Sequence, residues 1–206
     1  ANAFSLISSG TELTTIKSHQ ESILRKAIKH PDLVKNVISK IKDEGVIKTL
    51  EKIKNRIKEP RQIGYSTSGV VIEIGKNIRD INIGDKVSCA GSQYAHHSEI
   101  ISVPRNLVAK IPDSVDLSYG CFATLGAIAM QGIRRAERNF GETLVIFGLG
   151  LLGNLAAQIA ESYGYKVIGF DIDDTKVELA KKLNIKSYNL KKIDAIKTVL
   201  EKTNGF

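Results

Sequence analysis

The chain has 206 residues, of which 42% are hydrophobic and 25% are charged, and its net charge is +8. These fractions are ordinary for a globular protein and exclude a disordered chain or a collagen-like repeat. The sequence contains no run of about 18 apolar residues, so it predicts no membrane-spanning helix. Its first residues do not have the pattern of an intact signal peptide. Two cysteines are too few for a disulfide scaffold or a four-cysteine zinc site. We therefore expect a reducing, cytoplasmic location.

The chain begins with residues 1–14, which predict the end of a strand followed by a polar turn. Residues 15–61 then hold 13 basic and 6 acidic residues, almost all of the net positive charge. Apolar residues at helical spacing predict amphipathic helices there, over residues 23–28, 33–41 and 46–57. A solvated basic face is our interpretation, with an anionic partner surface as the alternative. The segment lacks interleaved aromatic residues and any nucleic-acid motif, so we expect no nucleic-acid partner.

After the basic segment the pattern changes to short β strands. The sequence GVVIEIG at residues 69–75 is a β-branched run between glycines, and residues 82–87 place a Gly-Asp turn before another strand. Further short strands are predicted at residues 97–103 and 107–111, on either side of Pro104.

From about residue 113 the apolar spacing becomes helical again. It predicts a helix that runs past Met130, although Gly120 and Gly126 weaken it. After Gly141 the pattern predicts strand, turn, helix, strand and helix in succession.

The strongest chemical signal begins with the apolar run TLVIFG, residues 143–148. It leads into a GxGxxG turn formed by Gly148, Gly150 and Gly153, and Asp171 follows the last glycine by 18 residues. This order of strand, glycines, helix and acid is the dinucleotide-binding pattern. The alternative is a strand–helix turn whose glycines serve packing alone.

Each glycine has a physical role in that pattern. Gly148 permits the tight turn, Gly150 lets the backbone approach a pyrophosphate, and Gly153 lets the helix pack closely. The helix then offers N–H groups at Leu151 and Leu152 and a partial positive charge to the phosphates.

Asp171 predicts the preferred cofactor. A carboxylate at this point accepts hydrogen bonds from both ribose hydroxyls and repels a 2′-phosphate. Ile172 and Asp173 follow, with no arginine to hold a phosphate. The sequence therefore predicts NAD rather than NADP.

Six motifs together resemble the medium-chain dehydrogenase/reductase family, of the alcohol dehydrogenase type. In chain order they are SSGTE, IGYSTSGVVIEIG, GDKV, IPDSV, GLGLLG and DIDDTK. The stretches SLISSGTE and ATLGAIAMQGI, with the helical insertion, are similar to bacterial two-part oxidoreductases. In those proteins this module is joined to a second dehydrogenase module, in surface-polysaccharide gene clusters.

The resemblance implies an α/β fold in two partial domains. Residues 1–112 would form a partial GroES-like β catalytic domain, with a helical insertion at about residues 15–60. Residues 113–206 would form the N-terminal half of a Rossmann domain, a doubly wound parallel sheet. The chain is thus expected to be an inactive fragment of a longer protein, which would be a homo-oligomer.

The chain departs from this family at the zinc ligands. The positions of the family's ligands hold Ser9, Tyr65 with Ser66, and Thr124. Neutral hydroxyls are poor zinc ligands, so we expect a zinc-independent member with no metal site. His96 and His97 are adjacent and, on a strand, would point to opposite faces rather than chelate together.

The resemblance also implies roles for residues in the cleft. Tyr65 replaces a ligand histidine and is our candidate acid/base group, with Thr11 as the proton relay. The alternative is that Tyr65 only fills the vacated zinc volume. Lys176 matches a ribose-contacting lysine, or is a surface lysine, and Thr124 would lie beside the cofactor. Cys89 and Cys121 are read as core residues.

The expected function is an NAD(H)-dependent, zinc-independent oxidoreductase. It would transfer hydride between nicotinamide and a small carbonyl or alcohol substrate, a sugar-derived compound of surface-polysaccharide biosynthesis being one candidate. Two alternatives remain open. One is a quinone- or enone-reductase-like enzyme, and the other is a non-catalytic module for dinucleotide binding or protein interaction.

Overall fold

The computed structural model describes residues 1–20, 62–137 and 141–205, together with Gly45. The chain divides into two compact units. One joins Ala1–Leu6 to Tyr65–Phe206, and the other is Ile7–Gly64. The predicted helices at residues 23–28, 33–41 and 46–57 lie outside the described residues.

In the unit Ile7–Gly64, helix α1 spans Ser9–Gln20, so the predicted turn through residue 14 is wrong. The backbone N–H of Ser8 donates to Glu12 Oε1 over 3.1 Å, and its hydroxyl lies 3.3 Å from that of Thr11. A serine whose N–H is taken by a glutamate one turn later is a helix-start pattern. The polar run therefore begins a helix instead of a turn.

The larger unit opens with a four-stranded antiparallel sheet in the order β1-β2-β3-β4. The Gly-Asp turn predicted at residues 82–87 does lead into a strand, which spans Lys86–Ala90. The strand predicted at residues 107–111 is also confirmed and spans Val108–Lys110. The strands are β1 (Asn2–Ser5), β2 (Ser66–Val70), β3 (Lys86–Ala90) and β4 (Val108–Lys110), with a 3₁₀ turn at Arg105–Leu107 before β4.

Two strand predictions are wrong in position or kind. The strand predicted at residues 69–75 ends at Val70. Val71 still exchanges backbone hydrogen bonds with Gly84 and Asp85, and the neighbouring chain turns at that point, where Gly84 has φ +93°. Residues 97–103 form a loop. Its Glu99 carbonyl accepts the N–H of Asn2 at 2.8 Å, so it follows the sheet edge without joining the ladder.

A short helix, α2 (Leu117–Gly120), packs on β2 and β3 through buried hydroxyl groups. Ser66 Oγ donates to the carbonyl of Cys121 over 2.6 Å, and Ser88 Oγ donates to that of Gly120 over 2.8 Å. Because these serines satisfy helix carbonyls, polar residues are stable on a buried strand face. The predicted single helix is therefore two, with α3 running from Ala123 to Arg135.

Gly120 fits where α2 approaches the sheet most closely. A Cβ atom there would lie 2.3 Å from Ile111 Cδ1 and 3.1 Å from Ser68 Cβ. We expect Gly120→Ala to lower the free energy of unfolding by about 1–3 kcal/mol, the usual cost of overpacking, as measured by urea denaturation.

Gly126 is the matched control, because it is also a helical glycine and a Cβ there meets nothing within 4 Å. Gly126→Ala should be neutral or stabilising by up to about 1 kcal/mol. Equal effects of the two substitutions would contradict the packing argument.

The second half of this unit is a three-stranded parallel sheet in the order β5-β6-β7. The predicted series of strand, turn, helix, strand and helix is confirmed, and the structure adds a further strand and helix that the sequence did not predict. A cluster of buried apolar side chains, centred on Leu149, Val167, Val177 and Ile185, packs the helices on the strands. The elements are β5 (Thr143–Phe147), α4 (Leu151–Ser162), β6 (Lys166–Asp171), α5 (Asp174–Lys182), β7 (Lys186–Asn189) and α6 (Ala195–Thr203).

Candidate functional site

The glycine-rich loop joins the carboxyl end of β5 to the start of α4. Gly148 has φ +96°, a conformation that side chains rarely adopt, and its N–H donates to the Phe170 carbonyl over 2.7 Å. A Cβ atom on Gly153 would lie 1.8 Å from the Gly148 oxygen. These two glycines therefore allow the helix to begin directly against the turn.

The outer side of the loop is open. A Cβ atom on Gly150 would meet nothing within 4 Å, and Leu151 and Leu152 are 37% and 42% exposed. The first N–H groups of a helix have no partner within it, and the helix dipole makes this end partly positive. The loop thus combines accessible N–H donors with positive potential, which suits an anion.

Asp171 lies at the end of β6 and is only 6% exposed. Its Oδ2 accepts the N–H of Leu149 at 2.7 Å, and its Oδ1 accepts the N–H of Asp173 at 3.0 Å. Burial alone would raise the pKa of this carboxyl group. The backbone donors Leu149 and Asp173, with the charge of Lys176, outweigh burial and hold the pKa below its ordinary value.

Asp171 is therefore ionised at neutral pH and fixed against the loop. A carboxylate oxygen accepts more than one hydrogen bond, so both oxygens keep capacity for a ligand's hydroxyl groups. Beside Asp171, Ile172 is 58% exposed. The positive charge of the exposed Lys176 helps to lower the pKa of Asp171. The structure thus brings Asp171, Ile172 and Lys176 together at one end of β6.

The predicted catalytic residues are distributed over the two units. Tyr65 is half-buried directly before β2, and its carbonyl accepts the N–H of Gly91 over 3.0 Å. Thr11 is exposed on α1, in the unit Ile7–Gly64. Thr124 is half-buried in the first turn of α3. A joint role for these residues remains a prediction.

Residues at the expected zinc-ligand positions have other contacts or surroundings. The Ser66 hydroxyl is committed to the Cys121 carbonyl, and Ser9 is exposed on α1. Within the described residues, no group of three or more His, Cys, Asp or Glu side chains comes together as a metal site would require.

Neither histidine of the adjacent pair lies on a strand. His96 and His97 belong to the loop after β3, and His96 Nε2 lies 3.2 Å from the Ser92 carbonyl. The premise that a strand directs them to opposite faces is therefore wrong. Burial raises the pKa of both cysteine thiols, Cys89 and Cys121, as expected for core residues.

Two residues that the sequence interpretation left out help to build the loop. Leu149 is fully buried, and its backbone N–H donates a hydrogen bond to Asp171 Oδ2. Asn154, 6% exposed in the first turn of α4, donates its side-chain amide to the Leu149 carbonyl. Asn154 could have been recognised in the sequence as a polar residue that directly follows the third glycine and falls on the buried side of the predicted helix.

Comparison with known proteins finds dehydrogenases that are similar to this chain, although the chain matches no family model. The alcohol dehydrogenase of Geobacillus stearothermophilus is 27% identical over 171 residues, covering 69% of this chain and 50% of that protein. An uncharacterised zinc-type alcohol dehydrogenase-like protein of Haemophilus influenzae is 31% identical over 174 residues, covering 71% and 51%. Other curated relatives include a sugar-acid dehydrogenase and D-xylulose reductases.

A crystal structure with the same fold is galactitol-1-phosphate dehydrogenase from Escherichia coli. The TM-score is 0.63 at 22% identity, and the match covers 69% of this chain and 50% of that one. The mixed architecture of an antiparallel and a parallel sheet is thus the predicted one.

The fold is that of a dehydrogenase. The chain is a homologue of the medium-chain, zinc-type alcohol dehydrogenases, and its curated relatives include alcohol and sugar dehydrogenases and reductases. The chain spans about half the length of the curated relatives it matches. Across the part of the chain that the structure describes, no helix is long and apolar enough to span a membrane.

Proposed function

We propose that this chain is part of an NAD(H)-dependent oxidoreductase that interconverts an alcohol and a carbonyl compound, and that its glycine-rich loop and Asp171 hold the diphosphate and adenosine ribose of the cofactor. The observation that carries the proposal is the open loop at Gly150, next to a fixed and ionised Asp171. An open turn of N–H donors suits a diphosphate, and a carboxylate beside it suits a ribose. The alcohol and sugar dehydrogenases among the relatives support the reaction class.

The residues of the loop fit the cofactor in a specific way. The N–H groups of Gly150, Leu151 and Leu152 would donate to the diphosphate, and Asp171 would accept from the adenosine ribose with Lys176 nearby. Ile172 offers exposed apolar surface for the adenine ring. When bound, nicotinamide supplies hydride exchange with the substrate, while the protein provides binding and orientation.

The cofactor preference follows from charge. Asp171 is ionised at neutral pH and would repel a 2′-phosphate, and residues 172–175 contain no arginine that would offset this repulsion. NADH should therefore bind at least about tenfold more tightly than NADPH, a difference of about 1.4 kcal/mol.

Zinc does not fit the donor set that stands in place of the family's ligands. Ser9, Tyr65, Ser66 and Thr124 offer neutral hydroxyl groups, whereas zinc is bound by thiolate, imidazole or carboxylate. We therefore propose that hydrogen-bond donors polarise the substrate oxygen, with Tyr65 as the acid/base group and Thr11 as its relay.

Tyr65→Phe tests this assignment in the full-length protein. Phenylalanine keeps the ring and removes the hydroxyl, so NADH affinity and stability should stay unchanged while kcat falls by about 100-fold or more. Tyr119→Phe, at a residue 71% exposed, is the control and should change neither. A Tyr65→Phe enzyme that turns over at the parent rate would show that Tyr65 only fills space.

The function itself is tested by fluorescence titration with NADH and NADPH, followed by turnover of aldehydes, ketoses, nucleotide sugars and enones. The proposal predicts NADH binding and reduction of an aldehyde or ketone, with sugar-derived substrates preferred. Reduction restricted to enones or quinones would favour the reductase-like alternative. Cofactor binding without turnover of any carbonyl would indicate a non-catalytic dinucleotide-binding module.

A further inference from the structure

We infer that Asn154 is a positioning residue that aims the N–H groups of the glycine-rich loop at the cofactor diphosphate. The inference rests on the proposed function and deepens it. Asn154 lies in the first turn of α4 and is 6% exposed. Its Nδ2 donates to the Leu149 carbonyl over 2.5 Å and to the Gly150 carbonyl over 3.2 Å.

The hydrogen bond to the Leu149 carbonyl fixes the direction of the N–H group that follows it. A trans peptide is planar, and its C=O and N–H point in opposite directions. Holding the Leu149 carbonyl toward Asn154 therefore turns the Gly150 N–H away from the helix interior. The Gly150 carbonyl also accepts the backbone N–H of Asn154 at 2.9 Å, so the direction of the Leu151 N–H is set by the helix as well as by the side chain. The outward side is the open one, where a Cβ on Gly150 would meet nothing within 4 Å.

Leu149 is held on its other side as well. Its N–H donates to Asp171 Oδ2 over 2.7 Å, and its side chain covers Gly169, where an added Cβ would lie 2.7 Å from Leu149 Cδ2. Asp171 and Asn154 thus hold the two ends of one residue. The loop has its donors arranged before a ligand arrives, which reduces the ordering cost of binding.

The side-chain oxygen of Asn154, Oδ1, indicates that stability of the fold alone does not explain an asparagine at this position. Among the described residues, the buried Oδ1 atom has no hydrogen-bond partner, and an unsatisfied buried acceptor is unfavourable. An apolar side chain of similar size would avoid that cost but would leave the Leu149 carbonyl without its amide donor. The choice of asparagine is therefore explained by its action on the loop.

The test compares a ligand that contains the diphosphate with one that lacks it. In the full-length protein, Asn154→Leu should weaken ADP-ribose binding by roughly tenfold, the scale of one lost hydrogen bond. Adenosine affinity should stay within about twofold, because Asp171 and Ile172 are untouched. Both affinities are measured by calorimetric titration, with thermal unfolding as the check that the variant is folded.

Gln158→Leu is the matched control. Its side-chain amide donates to the Asn154 backbone carbonyl over 3.2 Å, one turn along the same helix, and the residue is exposed. It should change neither affinity. Asn154→Ala removes the same donor without adding bulk or charge, so it too should weaken ADP-ribose selectively, and it decides the question if the leucine variant does not fold.

Three other results would overturn the inference. Unchanged ADP-ribose affinity would show that Asn154 does not aim the loop. An equal loss for ADP-ribose and adenosine would show a general structural role. Failure of the parent protein to bind ADP-ribose would instead overturn the proposed function, and the inference with it.

Discussion

Gly153→Ala is expected to abolish dinucleotide binding and to destabilise the larger unit. The added Cβ would lie 1.8 Å from the Gly148 oxygen and 2.9 Å from the Gly148 carbonyl carbon. Both neighbours are backbone atoms in a turn with φ +96° at Gly148, so the loop and the start of α4 must separate. We expect a loss of about 3 kcal/mol or more in the free energy of unfolding and at least about 100-fold in NADH affinity.

Gly150→Ala separates the effect on binding from the effect on folding. Gly150 has φ −71°, which alanine adopts readily, and its Cβ meets nothing within 4 Å. The free energy of unfolding should therefore remain within about 0.5 kcal/mol of the parent value. NADH affinity should fall, because the added methyl group lies where the diphosphate would approach. Urea denaturation and fluorescence titration measure the two quantities. A Gly153→Ala protein as stable as the parent would contradict the packing described for the loop.

Asp171→Asn is expected to affect both stability and cofactor choice. The carboxylate accepts one N–H at each oxygen, from Leu149 and from Asp173. Asparagine must direct its NH₂ group at one of these donors, so one N–H loses its partner, at a cost of about 1–3 kcal/mol. The variant also lacks the charge that opposes a 2′-phosphate, so the preference for NADH over NADPH should narrow.

The pH dependence of this substitution has a definite sign. The pKa of Asp171 is lower in the folded protein than its ordinary value, so the carboxylate stabilises the fold above the unfolded pKa of about 3.9. That contribution is lost as the pH falls through the folded pKa.

The stability difference between parent and Asp171→Asn should thus be constant from about pH 5 to 8 and shrink below about pH 4. Asp113→Asn, at an exposed residue, is the control. A parent protein that binds NADH and NADPH equally would contradict the role given to Asp171.

The parts of the fold that follow from local patterning were predictable. Three glycines between an apolar strand and an amphipathic helix, with an acid at the end of the next strand, located the loop and Asp171 in advance. The alternation from β5 to α5 was equally clear, because parallel strands such as β5 and β6 are nearly continuous apolar runs. Strand β7, with the sequence Lys-Ser-Tyr-Asn, has no such run and was not predicted. Glycine spacing therefore carried both the fold and the candidate site in this half of the chain.

Polar residues that pair with backbone groups account for the main errors. The strand at Ser66–Val70 begins with a Ser-Thr-Ser run whose two serine hydroxyl groups donate to backbone carbonyls some 50 residues away in sequence, at Cys121 and Leu117. Gly120 weakened a predicted helix, yet its missing side chain is what allows α2 to reach the sheet. Such contacts are fixed by tertiary packing, which hydrophobic periodicity does not report.

The site was predicted by its ligand-facing residues but not by its supports. Leu149 occupies an unspecified position of the glycine motif and Asn154 directly follows the motif, so their importance depends on which carbonyl and which carboxylate they face. Only the structure shows that Leu149 is held from both sides by Asp171 and Asn154. The proposed pairing of Tyr65 with Thr11 rests on the family resemblance and awaits its own test.

Hydrogen–deuterium exchange of the full-length protein, with and without saturating NADH, tests the central claim most directly. The account predicts that exchange slows by about tenfold or more in the peptide that carries the N–H groups of Gly150, Leu151 and Leu152. The peptide covering Lys86–Ala90, within the antiparallel sheet, should not change. Saturating NADH that leaves exchange in the loop unaltered would contradict the claim that these N–H groups hold the diphosphate.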